Sequence, residues 1–232
     1  MTKVLMVVSA ADHWTLKDGT HHPTGFWAEE LVTPYSIFTD AGWDIDVATP
    51  GGIAPTVDSA SLDESAGDAE TLEAVKAKLE ELQPVLAEPL NLDSVEAADY
   101  DLVFYPGGHG PLWDLANDPT SQQIILDSDA AGRPLGLVCH APGVLHTVSK
   151  EDGTSFVAGR SVAGFSNSEE EAAGLTDVVP FLVEDSLKEA GAQYSKGPDG
   201  DSYVVTDKML VTGQNPASSA AAAQRLLDLM AH

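Results

Sequence analysis

The chain has 232 residues, 43% of them hydrophobic, which is enough apolar material for one large domain with a packed core. Its 37 acidic and 11 basic residues give a formal net charge of -26, so the composition argues against nucleic acid and anionic membranes as partners. A strongly acidic, well-solvated surface that keeps the protein in solution, also at high salt, is the simplest interpretation of this charge.

The N-terminal residues and the cysteine usage indicate the compartment. The apolar run after Lys3 is short and is followed at once by Asp12 and His13, so it predicts a first β-strand rather than a signal peptide. No apolar segment approaches the ~20 residues of a membrane-spanning helix. The single cysteine, Cys139, excludes an intramolecular disulfide, and we therefore expect a reducing, cytoplasmic setting.

The first predicted elements are a strand over residues 4–9 and a helix over residues 24–42, joined by a polar loop. The loop follows the carboxyl end of the strand, which is the side where open α/β sheets bind ligands. Pro34 is expected to kink or restart the helix. The helix is predicted from apolar and aromatic residues at helical spacing and from a glycine stop, namely Trp27, Leu31, Tyr35, Phe38 and Gly42.

Two adjacent glutamates lie near the start of this helix. Glu30 lies beside Leu31 on the inward side, whereas Glu29 falls on a different face, so we expect one of the two carboxylates to be buried. A carboxylate near a helix start usually serves only as a partner of the helix dipole. The pattern leaves open whether Glu30 is functional.

Residues 57–98 differ in composition from the rest of the chain. They follow a predicted strand toward the sheet edge, residues 44–49, and acidic residues dominate them. One amphipathic helix is marked by Leu72, Val75, Leu79 and Leu82. Because the segment has too little apolar material to fold alone, we interpret it as an insertion or cap within a single domain spanning 1–232. As a cap, it is expected to roof the active site.

A glycine-rich loop follows the next predicted strand, residues 100–105. Gly107 and Gly108 allow the backbone to approach a ligand and offer N–H groups of the kind that form an oxyanion hole. His109 is expected to form a polar wall of the pocket. The loop lacks the G-x-G-x-x-G spacing and no Lys-Ser/Thr pair follows it, so it does not predict phosphate or dinucleotide binding.

Cys139 lies at a corner between a buried strand and a helix start. The apolar residues before it fit a central parallel strand, and Ala141-Pro142 supplies a first helical turn. At such a corner the side chain projects from the carboxyl edge of the sheet, as in a nucleophile elbow, and the helix N-terminus favours thiolate over thiol. A buried structural cysteine is the alternative.

The remaining elements alternate between helices and short strands. A helix over residues 117–131 precedes the cysteine strand, and a β-excursion over 153–164 follows it. Ser166 begins a capped helix with three glutamates near its start, which ordinarily serve the helix dipole. The chain closes with a helix over 178–190, a hairpin over 203–212 that turns near Asp207-Lys208, and a helix over 216–229.

Several motifs together resemble the DJ-1/PfpI superfamily, which is related to class I glutamine amidotransferases. They are Thr24-Gly-Phe-Trp-Ala-Glu-Glu-Leu31, Gly107-Gly-His-Gly110 and Cys139-His140. Within that superfamily, Gly164-Phe-Ser-Asn167 with Glu170, and Thr212-Gly-Gln-Asn-Pro216, are similar to the branch of heat-inducible chaperones and glutathione-independent glyoxalases (glyoxalase III). The resemblance implies a homodimer and a flavodoxin-like three-layer α/β sandwich with a central, mostly parallel sheet and a small helical insertion.

The resemblance also implies a catalytic set. Cys139 matches the nucleophile, and His140 matches its neighbour in the triad. Glu30 matches the carboxylate whose protonated form contacts the thiolate. Glu170 matches the acidic third member, and Glu169 or Glu171 takes its place if the register shifts by one.

The oxyanion hole and substrate pocket are matched by Gly107, Gly108, His109 and Ala141. Ala141 stands where the family usually has glycine, which is expected to tighten the loop. Some chaperone members hold a metal with a histidine in the helix after the first carboxylate. No histidine occurs between His22 and His109, so no metal site is expected.

The implied function is a cofactor-independent lyase of the glyoxalase III, or D-lactate dehydratase, type. It converts methylglyoxal and related 2-oxoaldehydes to D-lactate or other 2-hydroxy acids, a detoxification that belongs to the stress response. The small substrate is then its partner, without nucleic acid or membrane. A protein/nucleotide deglycase or holdase chaperone, a cysteine amidase or peptidase, and a redox sensor are the alternatives.

Overall fold

Seven strands form one sheet, and helices cover both of its faces. The computed structural model describes residues 2–231, and none of the helices in that range is both long and apolar enough to cross a membrane. The strands are β1 (Lys3–Val7), β2 (His13–Thr15), β3 (His21–Pro23), β4 (Asp44–Thr49), β5 (Leu90–Asn91), β6 (Leu102–Tyr105), β7 (Leu135–Val138), β8 (Ser161–Val162), β9 (Gln193–Tyr194), β10 (Val204–Asp207) and β11 (Leu210–Gly213). The α-helices are α1 (Ala28–Asp40), α2 (Ala69–Ala87), α3 (Gly110–Asp114), α4 (Pro119–Ala130), α5 (Asn167–Ala172), α6 (Val183–Glu189) and α7 (Ser219–Met230).

The main sheet has the strand order β10-β11-β7-β6-β1-β4-β5. All neighbours are parallel except β10 and β11, which form the predicted antiparallel hairpin at one edge. The predicted flavodoxin-like α/β fold is thereby confirmed. From β1 the chain goes first to β4 on one side and later to β6 on the other. The loops after β1 and β6 therefore diverge and leave a crevice at the carboxyl edge, where such sheets bind ligands.

Side chains of the central strands alternate between two apolar cores. Along β1, Val4 and Met6 pack in the layer that contains α1, α2 and α7, whereas Leu5 and Val7 pack in the layer that contains α4 and α6. Burial on both faces explains why the strands are continuous apolar runs. Each such side chain contributes about 1.5–3 kcal/mol of burial free energy, which makes the sheet a rigid base for the loops above it.

Four elements differ from the predictions. α1 runs through Pro34 without interruption, so of the two expected outcomes, a kink or a restart, the restart does not occur; proline has no N–H, and the helix forgoes its hydrogen bond to the carbonyl of Glu30. The polar loop after β1 contains the hairpin β2–β3. The helix predicted over 178–190 is the shorter α6. The turn after Cys139 is a 3-10 helix, Ala141–Thr147, with a proline in its first turn.

Residues 57–98 contribute to the helical layer, to the sheet and to the site. α2 packs against α1 and buries its predicted apolar side chains there. β5 extends the sheet beside β4. Residues that precede α2, among them Asp58 and Ala66, line the cavity at the carboxyl edge of the sheet. The interpretation of the segment as an insertion in a single domain stays a prediction.

Candidate active site

Cys139 has a left-handed backbone conformation directly after β7, with a φ of 62°. Such a φ is strained for a residue with a side chain, by about 1–3 kcal/mol, and persists only where the surroundings enforce it. Both backbone groups are held: the N–H of Cys139 donates to the carbonyl of Gly213 at 2.9 Å, and its carbonyl accepts from the N–H of Phe165 at 2.8 Å. The strand-to-helix corner thus directs the thiol toward the cavity, as the elbow geometry predicts.

A histidine and a glutamate continue from the thiol. Sγ of Cys139 lies 3.2 Å from Nδ1 of His140, and Nε2 of His140 lies 2.7 Å from Oε2 of Glu170. A carboxylate can only accept, so Nε2 carries the proton and Nδ1 of the neutral ring is free to accept from the thiol. Burial, followed by the neighbouring His109, lowers the pKa of His140 to about 4. At neutral pH, His140 is therefore an uncharged base in contact with the thiol.

Glu170 joins two histidines. Its Oε1 accepts from Nε2 of His109 at 2.8 Å, while Oε2 accepts from His140. Burial by itself raises the pKa of Glu170, but the two imidazoles outweigh this effect and hold the pKa well below its usual range. Of the three consecutive glutamates, the structure thus places Glu170 beside His140, whereas Glu171 is exposed. His109 is both a wall of the cavity and part of this network.

Glu30 is completely buried and lies against the glycine loop. Its Oε2 accepts from the N–H of Gly107 at 2.7 Å, and its Oε1 has no hydrogen-bond partner within residues 2–231. Burial is the main cause that raises the pKa of Glu30 to about 8, and the nearby thiol of Cys139 opposes this increase. At neutral pH the carboxyl is protonated. Because the N–H of Gly107 donates to Oε2, the proton belongs on Oε1, which is buried and has no partner among the described residues.

The thiol is not held as a thiolate by a helix N-terminus, contrary to the prediction. Burial raises the pKa of Cys139 well above its ordinary value, the charge of an ionised Glu30 raises it further, and the N–H of Gly108 opposes both. The 3-10 turn that follows is short and does not compensate. The resting group is therefore a neutral thiol whose proton lies within reach of Nδ1 of His140.

The two glycines of the loop have different tasks. The N–H of Gly107 donates to Glu30, so the predicted oxyanion donor at this position is occupied. The N–H of Gly108 lies near the sulfur of Cys139 and lowers the pKa of the thiol. Gly108 has a φ of 86°, and a Cβ there would lie 2.5 Å from the carbonyl oxygen of Gly25. The side chain of Ala141 is buried in the core and does not line the cavity; a role of its backbone N–H stays a prediction.

A cavity of about 810 Å³ opens above Cys139, His140 and His109. Sequence analysis did not identify most of its aromatic wall. Trp14 from β2 stacks on His22 at 4.2 Å between ring centroids, and the ring of Phe165 lies 4.1 Å from that of His140. Further lining residues are Trp27, Asp58, Glu169, Asp199 and Asn215. A signal was present, since the polar loop over the sheet edge carries Trp14.

His109, His140 and Glu170 offer three ligand atoms within 4.8 Å of one another, a spacing that a metal ion accepts. In this structure the same atoms already form the two hydrogen bonds between the imidazoles and the carboxylate. An ion here would take the Nε2 proton from His140 and force a proton onto Nδ1, which the thiol needs as its acceptor. The arrangement therefore fits a proton-transfer network better than a metal site.

Three comparisons place the chain among known proteins. A sequence profile described as the DJ-1/PfpI family matches residues 22–229. The chain is 31% identical to the glutathione-independent glyoxalase HSP31 of Saccharomyces cerevisiae, with 98% of each covered, and 30% identical to the protein/nucleic acid deglycase HchA of Staphylococcus aureus, covering 94% of this chain and 76% of that protein. The solved structure of the Francisella tularensis rapid encystment protein superposes with a TM-score of 0.90, at 33% identity and 99% coverage of both chains.

Proposed function

This chain belongs to the DJ-1/PfpI family, and from that membership and the geometry of its site we propose that it is a glutathione-independent glyoxalase. In this proposal it converts methylglyoxal and related 2-oxoaldehydes to 2-hydroxy acids, D-lactate in the case of methylglyoxal. The reaction is of the glyoxalase III, or D-lactate dehydratase, type and uses only groups of the protein and water.

The first step is addition of Cys139 to the aldehyde carbon. Nδ1 of His140 takes the thiol proton, and the thiolate forms a C–S bond with the aldehyde. The carbonyl oxygen receives a proton from the neutral carboxyl of Glu30, which yields a hemithioacetal and leaves Glu30 ionised. The N–H of Gly108 stabilises negative charge at the reacting centre.

The second step moves hydrogen within the substrate. Ionised Glu30 removes the proton from C1 and forms an enediolate; the same carboxyl returns this proton to C2, and the hydroxyl proton on the C1 oxygen passes to the C2 oxygen. C1 is thereby oxidised to a thioester, and C2 is reduced to a hydroxyl-bearing carbon. Because oxidation and reduction occur in one molecule, no external hydride carrier takes part.

Hydrolysis of the thioester completes the cycle. The proton on His140 passes through solvent to Glu30, which makes both groups neutral again. His140, oriented by Glu170, then removes a proton from water as the water attacks the thioester, and returns it to the departing sulfur of Cys139. The 2-hydroxy acid leaves and ionises in solution.

One observation carries this assignment: a fully buried carboxyl, neutral at pH 7, lies close to the nucleophilic thiol. An amidase or peptidase needs only the set of Cys139, His140 and Glu170 for acyl transfer and has no use for Glu30. Transfer of a proton between adjacent carbons needs such a group. Deglycation is the second candidate, since a protein/nucleic acid deglycase is among the relatives.

The test is turnover of methylglyoxal by the purified protein without added thiol, followed by a chiral assay for lactate. We expect D-lactate, and we expect Cys139→Ala and Glu30→Gln each to lower kcat by at least about 10³-fold. Glu171→Gln, an exposed substitution, is the matched control and should keep full activity. Unchanged turnover in either site variant would defeat the assignment. Preferential action on glycated amines over free methylglyoxal would favour the deglycase.

A further inference from the structure

The three consecutive glutamates of α5 lie in three different environments. Glu171 is exposed, Glu170 holds the two histidines, and Glu169 is buried with 7% of its surface accessible. Glu169 has no role in the catalytic set described above. Its carboxylate nevertheless accepts more hydrogen bonds than either neighbour, which calls for a physical explanation.

Both oxygens of Glu169 are used by donors from separate loops. Oε1 accepts from the N–H of Gly200 at 2.9 Å and from Nδ2 of Asn215 at 2.8 Å. Oε2 accepts from Nε2 of Gln214 at 3.1 Å, and from the N–H and hydroxyl of Ser166 at 3.1 and 2.7 Å. Only the Ser166 contacts belong to an ordinary helix cap. The other donors tie the start of α5 to two distant segments.

One of those segments is attached directly to the nucleophile. Gln214 and Asn215 follow β11, whose last residue, Gly213, accepts the N–H of Cys139 at 2.9 Å. Glu169 thus connects the helix that carries Glu170 to the strand end that holds the backbone of Cys139. A charged acceptor with several neutral donors forms strong hydrogen bonds, and burial keeps them from being replaced by water.

We infer that Glu169 is a positioning residue, which sets the separation between Glu170 and His140 by clamping α5 to the end of β11. Glu170 cannot orient the imidazole unless α5 keeps its place relative to the elbow. Glu169 also joins Gly200 and Asn215, which line the cavity, so the clamp forms part of the wall as well. This role depends on the contacts among Cys139, His140 and Glu170. It rests on the proposed function only for the measurement of methylglyoxal turnover.

The experiment compares Glu169→Gln with Glu171→Gln, each in the wild-type and in the Glu170→Gln background. A glutamine keeps the size of the side chain but presents an NH₂ group to donors that need an acceptor. We expect Glu169→Gln to lower kcat for methylglyoxal at least tenfold while KM changes less than threefold. In the Glu170→Gln background the same change should cost less than twofold, because the group through which Glu169 acts is already lost.

A second readout does not depend on the proposed activity. The rate constant for alkylation of Cys139 by iodoacetamide at pH 7 reports how well His140 accepts the thiol proton. We expect at least a fivefold decrease for Glu169→Gln and no change for Glu171→Gln. If the wild-type protein turns over no 2-oxoaldehyde, the proposed function fails, and the alkylation rates still test the clamp.

Two results would overturn the inference. One is an equal fractional loss of kcat in both backgrounds, which indicates that Glu169 acts independently of Glu170; the other is unchanged kcat and alkylation in folded Glu169→Gln. Should that variant not fold by circular dichroism, Gln214→Met removes one donor of the clamp, together with the acceptor of the Gly197 N–H. It should lower the alkylation rate two- to fivefold, and no effect in that folded variant would equally contradict the role.

Discussion

Nε2 of His140 lies 2.7 Å from Oε2 of Glu170, and each side chain is 2% exposed. This contact determines which nitrogen of the imidazole is protonated and leaves Nδ1 to face the sulfur. The same carboxylate binds His109 through its other oxygen, so its charge is shared by two N–H donors. In the proposed reaction the thiol therefore depends on a residue that does not contact it.

Replacing Glu170 by glutamine should strongly impair the base. The amide oxygen of the glutamine can accept from one histidine, but its NH₂ group is a donor and faces the N–H donor of the other histidine. His140 therefore loses the bond that sets its tautomer and orientation. We expect kcat/KM to fall by about 10²- to 10⁴-fold. The rate of D-lactate formation measures this, with Glu171→Gln as the control. A loss smaller than tenfold would contradict the orienting role.

The pH dependence of kcat/KM should reflect two groups of the free enzyme. Below a pH of about 4, His140 becomes charged and cannot accept the thiol proton, because its pKa is lowered to about 4. Above a pH of about 8, Glu30 ionises and cannot protonate the carbonyl oxygen, because its pKa is raised to about 8. We expect a plateau between these limits. Initial rates at constant ionic strength test it; activity that keeps rising beyond pH 9 would exclude Glu30 as the acid.

Glu30→Gln should stabilise the protein at neutral pH while it removes activity. The pKa of Glu30 in the folded state, about 8, exceeds the ordinary value of 4.5. As pH rises from 4.5 toward 8, the carboxyl ionises in the unfolded chain but not in the folded one, so the wild-type protein loses stability that the Glu30→Gln variant keeps. At pH 7 the difference is up to about 3 kcal/mol, and it should vanish near pH 4. Urea unfolding at both pH values measures it. Equal effects at the two values would refute a raised pKa.

Gly107→Ala should displace Glu30. A Cβ at this position would lie 2.6 Å from Oε2 of Glu30 and 2.5 Å from the carbonyl oxygen of Val138. We expect kcat/KM to drop by about 100-fold or more, since small displacements of a proton-transfer group have effects of that size. Gly67→Ala is the matched control, because its Cβ would meet nothing closer than 3.8 Å. Full activity of Gly107→Ala would show that this contact does not position Glu30.

Salt should stabilise the folded chain at neutral pH. A net charge of -26 makes the compact state repel itself, and raising KCl from 0.1 to 1 M shortens the screening length from about 10 to about 3 Å. We expect Tm to rise by several degrees, because each kcal/mol added to the free energy of unfolding raises Tm by about 2–4 °C. Near pH 4.2, the isoelectric point, the increase should be much smaller. An equal increase at both pH values would exclude charge repulsion as the cause.

Local patterns in the sequence predicted much of this protein. The apolar runs of β1, β6 and β7, the elbow at Cys139 and the burial of Glu30 rather than Glu29 all follow from periodicity and turn chemistry within a few residues. The motif resemblance added the family and the fold, and both are confirmed. These features were accessible because each depends on residues that are adjacent along the chain.

Tertiary structure decided the rest. Three glutamates in a row have equal local signals, but successive residues of a helix point about 100° apart, and only contacts with distant segments, His140 on one side and the residues after β11 on the other, select Glu170 for His140 and Glu169 for the clamp. The protonation of Glu30 and Cys139 depends on how much water distant segments exclude, and this reversed the thiolate prediction. Burial and hydrogen bonding sum over neighbours from the whole chain, so the sequence determined which residue types stand at the sheet edge, and the fold determined which of them meet and in which charge state.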